Sequence, residues 1–134
     1  MREGRKEGKK LIYSDELATY IGAGTTLVAM TGSPYSPLKS GRLIQLKLIV
    51  YGSAVTALIE GVIAVVTCPL WGVPVTVGTA GSGIRTATVP AVPIGIQNCD
   101  VQIQTGVDLK CEIKNVTADT PVTVEATLIG VFEG

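Results

Sequence analysis

The 134-residue chain contains no histidine. That removes Ser-His-Asp and Cys-His catalysis, histidine metal ligation and the usual proton shuttle at neutral pH. A cupin-type enzyme, which needs histidine ligands on a small β-barrel, is disfavoured for the same reason. Cysteine is scarce too: Cys68, Cys99 and Cys111 are an odd number without CxxC spacing, so they make neither a disulfide framework nor a zinc site. A Cys68–Cys99 bridge fits the count, but no spacing argues for it. Aromatic residues make up only 4%, leaving valine, isoleucine, leucine, alanine and glycine to fill the interior. Charged residues, at 16%, fall below the roughly 25% of soluble domains. With 46% hydrophobic residues, the chain has more apolar surface than one small core absorbs, which directs part of it to subunit interfaces or a membrane.

The few charges are unevenly placed. Residues 1–10 carry Arg2, Arg5, Lys6, Lys9 and Lys10 against Glu3 and Glu7, a net +3, and the rest of the chain is −3. This basic stretch has no apolar periodicity and reads as a flexible arm on a single domain over residues 11–134. Lacking interleaved aromatics, the arm is suited to phosphate-directed, salt-sensitive contact with nucleic acid or to gripping a neighbour. The basic start runs into Leu-Ile-Tyr-Ser-Asp-Glu and not into an apolar signal region, so synthesis in the cytoplasm is expected. Asn115-Val-Thr117 matches a glycosylation sequon, and without an export signal it reads as turn chemistry.

Period-two alternation dominates what remains. Val107, Leu109, Cys111 and Ile113 alternate with Asp108, Lys110, Glu112 and Lys114. Val122, Val124, Ala126, Leu128 and Phe132 alternate in the same way with Thr123, Glu125, Thr127 and Glu133. Side chains of a strand point to opposite faces, so both segments predict strands with one apolar and one wet face. Arg42 to Tyr51 predicts another, with Ile44, Leu46, Leu48 and Val50 on one side. Thr56–Thr67, Pro74–Gly78, Ile84–Val89, Ile94–Ile96 and Val101–Gln104 are further strand candidates. Thr25–Thr31 and Leu11–Ser14 are others, and Ser14-Asp-Glu reads as the start of a one- or two-turn helix ending at Gly22. A membrane helix over Leu46–Trp71 is the rival, but Lys47 and Glu60 interrupt it at a cost of about 2.5–3.5 kcal/mol for a central charge. Two buried strands joined by a hairpin account for the same residues without that penalty, and no membrane span is expected. About eight short strands punctuated by glycine and proline predict an all-β, two-sheet antiparallel sandwich, most simply a jelly roll.

No constellation of residues identifies a reaction, and the chain reads as a non-enzyme without cofactors. Gly78-Thr-Ala-Gly81-Ser-Gly83 resembles a dinucleotide loop, but a β-branched segment follows it where a helix N-terminus is required. Asp108 and Glu112 share a face with Lys110 and Lys114, which suits ion pairing better than acid-base work. Trp71 with Tyr35 or Tyr51 could form a sugar-binding platform. A loop tryptophan filling an interface is the simpler role, with Leu70, Trp71 and Val73 as the candidate contact residues.

The arm Met1 to Lys10, the short glycine- and threonine-rich strands and the closing pair Val107–Lys114 and Val122–Phe132 together resemble the small single jelly-roll structural proteins of icosahedral viruses. The resemblance implies a self-assembling capsid or vertex subunit, located in the virion, that partners copies of itself and other shell proteins. The arm then clasps a neighbour or reaches nucleic acid. The alternative from another class is a ligand-binding β-sandwich, a lectin-like module or an appendage subunit.

Overall fold

The computed structural model describes residues 11–24, 26–52, 61–79, 94–115 and 123–134. The strands are β1 (Ile12–Gly22), β2 (Val28–Ala29), β3 (Gly41–Gly52), β4 (Val62–Thr67), β5 (Val75–Thr79), β6 (Ile94–Ile103), β7 (Lys110–Asn115) and β8 (Val124–Glu133). They form two four-stranded sheets, β1-β8-β3-β6 and β2-β7-β4-β5, antiparallel throughout. The pairing is nested: β1 with β8, β2 with β7, β3 with β6, β4 with β5. A long hairpin of paired segments rolled up on itself gives that order, which is the jelly roll. Among the described residues there is no helix long and apolar enough to cross a membrane. The segment weighed as a membrane helix instead contributes the end of β3 and all of β4.

Alternation drives the burial. In β4, Val62, Ala64 and Val66 are buried; in β8, Val124, Ala126, Leu128 and Phe132 are. Leu109, Cys111 and Ile113 complete the predicted apolar face at β7. The two inner faces stack about 10 Å apart, and β-branched side chains fill the pleats well. Each buried valine or leucine contributes about 1.5–3 kcal/mol relative to exposure.

Several expectations change. Residues 14–22 are strand, not helix. A bulge between Glu16 and Ala18 turns both Leu17 and Ala18 inward, and this apolar doublet disguises the strand as a helical pattern. Beyond the bulge, Thr19 and Thr31 exchange backbone hydrogen bonds of 2.9 and 2.7 Å, tying one sheet to the other. In β3 a register shift between Leu43 and Gln45 exchanges the expected roles, so Leu43 is buried and Ile44 is half-buried. The segments Ile94–Ile96 and Val101–Gln104 merge into β6, which runs unbroken to Ile103 through an irregularity at Cys99 and Asp100. β3 and β4 are not a hairpin, because they lie in different sheets; the same holds for β7 and β8. Residues 1–10, Thr56–Glu60 and Ile84–Val89 lie outside the described residues. Asn115 is fully buried at the end of β7, where no glycan could be attached without unfolding it.

Candidate functional site

The register places Ile12, Gly41, Ile103 and Glu133 at one end of the sandwich. The same end receives the connections 30–40, 68–74 and 104–109. Leu11 and Gly134 close it with reciprocal backbone hydrogen bonds of 3.2 and 3.0 Å. The predicted contact residues Leu70, Trp71 and Val73 therefore lie at the end where the arm joins the domain. Arg2, Arg5, Lys6, Lys9 and Lys10 themselves lie outside the described residues.

An aromatic stack builds this end. Phe132, fully buried, stacks on Tyr13 at 5.2 Å and on Tyr35 at 5.9 Å between ring centroids. Tyr35 donates its hydroxyl to Asp15 Oδ2 at 2.6 Å, and its backbone exchanges two 2.8 Å hydrogen bonds with Leu109. The connection 30–40 is thereby bonded to the start of β7 and, through Asp15, to β1 in the other sheet. Lys39 Nζ sits 5.0 Å from the Tyr13 ring centroid. This stack has no local sequence signature, since its three rings come from positions 13, 35 and 132 and only the fold brings them together. Asp15, expected in a helical first turn, serves here as the acceptor for Tyr35.

Trp71 is pinned at a second point. A turn from Trp71 N to Cys68 O at 3.0 Å shapes its loop, and the indole Nε1 donates to Gln102 O at 2.6 Å. The ring packs against the core, whereas Leu70 and Val73 point out, Val73 with 73% of its surface exposed. Two recesses flank the loop. One of about 220 Å³ is lined by Thr67, Cys68 and Trp71 to Pro74; the other, of about 400 Å³, by Pro34, Thr67, Cys68, Pro69, Asp108 and Lys110. Asp108 accepts a hydrogen bond from Ser36 Oγ at 2.8 Å, and Lys110 pairs with Glu112 at 3.6 Å. The sugar-binding platform does not form: Tyr35 is inside the aromatic stack, and Tyr51 falls at the far end of β3. Gly78 belongs to the strand β5, and Gly81 and Gly83 of the glycine cluster lie outside the described residues. Cys68, Cys99 and Cys111 are all free thiols, so no Cys68–Cys99 bridge exists.

Burial pushes the Cys111 thiol up to about 12. Burial, followed by the Asp15 hydrogen bond and charge, pushes the Tyr35 phenol well above its ordinary value near 10. Both groups are held protonated more tightly in the folded state than in the unfolded chain. Their stabilising contribution is complete below the unfolded values and is lost as pH rises through them toward the folded ones. The urea midpoint is therefore expected to be flat from neutral pH to about 9 and to fall between about 9 and 12. Tyr35→Phe should remove part of the fall above pH 10. A midpoint that stays level up to pH 12 would contradict the burial of these groups.

No protein-family model matches the chain, and no curated protein sequence does. Among solved structures the chain is similar to the Eiger TNF of S. frugiperda, with TM-score 0.46 and 8% identity over 92% of this chain and 89% of that one. It is also similar to a structure of the infectious bursal disease virus Gx strain, with TM-score 0.42 and 14% identity over 92% of this chain and 32% of the viral one. A third likeness is to Bacillus endospore appendages, described as disulfide-linked pili, with TM-score 0.38 and 11% identity over 98% and 95% of the two chains. All three likenesses have TM-scores below 0.5, and none of them bears on function.

Proposed function

We propose that this chain is a self-assembling structural protein, a capsid or vertex subunit of an icosahedral virion, with no catalytic role. The observation that carries the reading is the sandwich end where the arm joins. Leu11, Ile12, Leu38, Leu70 and Val73 are all exposed there, beside the two recesses around the 68–74 loop. Exposed apolar side chains gathered at one end, next to hollows of side-chain size, suit packing between copies better than life as an isolated monomer. The chain continues from Leu11 at this end into residues 1–10, whose five basic residues suit contact with a neighbouring subunit or, less selectively, nucleic acid.

Light scattering of the purified chain at high concentration tests the reading. Assemblies larger than a monomer are expected, and Leu70→Asp combined with Val73→Asp, or deletion of residues 1–10, should shift them toward smaller species. A sharp monomer peak that neither change moves would overturn it. Such a peak, combined with a Trp71 fluorescence shift on adding glycans, would favour the ligand-binding alternative.

A further inference from the structure

The outer face of the β1-β8-β3-β6 sheet is not the wet surface that alternation alone suggests. On β8 the inner series Leu128, Gly130 and Phe132 leaves Ile129 and Val131 on the outside, both half-buried. Residues directly opposite in neighbouring strands share a face. The pairings Glu16 with Ile129, Ile129 with Lys47, and Lys47 with Ile96 therefore make one row across all four strands of the sheet. The next row toward the arm runs Ser14, Val131, Gln45 and Asn98. Ile96 at one edge and Ile21 at the other are 58% and 72% exposed. Within the rows, Gln45 Nε2 donates to Asn98 at 2.8 Å, whereas neither Glu16 nor Lys47 has an ion-pair partner among the described residues.

We propose that this face pairs with the same face of a second copy, with Glu16 of each copy opposite Lys47 of the other. The proposal rests on the self-assembly reading above and names one of its surfaces. A two-fold axis that crosses β8 at Ile129, inclined about 15° to the strand so that the two sheets cross at about 30°, exchanges the strands on either side of it. Glu16 and Lys47, each one strand or about 4.8 Å from that axis, are then brought together twice, and Ile129 and Val131 stack on their own counterparts. Stacked sheets cross at about 30°, which swings Glu125 and Glu133, each four residues from Ile129, away from their own copies. A ligand of a single charge would satisfy only one of these two groups. A second copy supplies both signs in the required places.

The area agrees. Four strands of about ten residues cover roughly 19 by 33 Å, about 600 Å² per copy and about 1,200 Å² buried in total. This is the lower edge of specific interfaces and fits a reversible association, not a permanent one.

Charge reversal in the full chain tests the pairing by sedimentation across a concentration series at low salt. Lys47→Glu and Glu16→Lys should each raise the concentration needed for association by about tenfold or more. The double variant, which restores opposite charges across the axis, should return it to within about threefold of the parent. Single variants without effect, or a double variant as poor as the singles, in a chain that still assembles, would overturn this face while leaving self-assembly standing. A parent chain that stays monomeric throughout would overturn both. If a reversal variant loses its β-sheet circular dichroism, Lys47→Gln is read in its place, with a weakening of about threefold expected and an unchanged association contradicting the pairing.

Discussion

Replacing Phe132 with alanine is expected to cost about 3–5 kcal/mol of folding free energy, the range for emptying a buried aromatic site. The side chain is completely buried and holds two tyrosine rings, one from β1 and one from the connection between β2 and β3. Its loss leaves a cavity and removes two ring contacts of about 0.5–1.5 kcal/mol each, part of which is already counted in the total. Against a typical domain stability of 5–15 kcal/mol, that is a large share. The thermal midpoint should drop by roughly 10–20 °C. Tyr35→Phe keeps the stacking and removes only the hydrogen bond to Asp15, so it should cost about 1.5–3 kcal/mol. If Phe132→Ala proved no worse than Tyr35→Phe, the stack would not be what joins the two sheets at this end.

Gly41→Ala should be the second severe change, although it adds a single methyl group. Gly41 starts β3 alongside the end of β8, and a Cβ there would run into the Glu133 carbonyl oxygen and come within 2.9 Å of Gly134 Cα. Both obstacles are backbone, so no rotamer relieves them, and the end of β8 has to move. Overpacking of this kind costs about 1–3 kcal/mol. Gly72→Ala is the matched control, because a Cβ at Gly72 meets nothing within 4 Å. It should stay within about 0.5 kcal/mol of the parent. Denaturant midpoints of the two variants at unchanged slope decide the matter; equal midpoints would mean that the two strand ends are not in close contact.

Fold class was legible because burial in this chain follows period two over long stretches. β4 and β8 alternate without a fault, and their inner residues are the ones the pattern selects. Reading failed where the backbone departs from that period. Leu17-Ala18 in β1 and Leu43-Ile44 in β3 sit at bulges, and a pattern that assumes strict alternation misplaces one residue of the first pair and both of the second. Partners were illegible for a different reason. Adjacency in sequence suggested a hairpin between β3 and β4, but in the nested roll that connection, like the one from β7 to β8, crosses from one sheet to the other. The exposure of Leu70 and Val73 was legible from their place in a proline-flanked loop. The Phe132 stack was not, since nothing local distinguishes Tyr13 or Tyr35 from other tyrosines. Nor was the mixed outer face, because Ile129 and Val131 become meaningful only when β1 and β3 are placed beside β8.

Self-assembly is the central claim, and electron microscopy of the purified full-length chain over a range of concentrations tests it most directly. Closed shells, sheets or defined oligomers are predicted, becoming sparser when Lys47→Glu or the Leu70→Asp, Val73→Asp pair is introduced. Dispersed particles of monomer size at every concentration, in a chain whose circular dichroism is that of folded β-sheet, would contradict it.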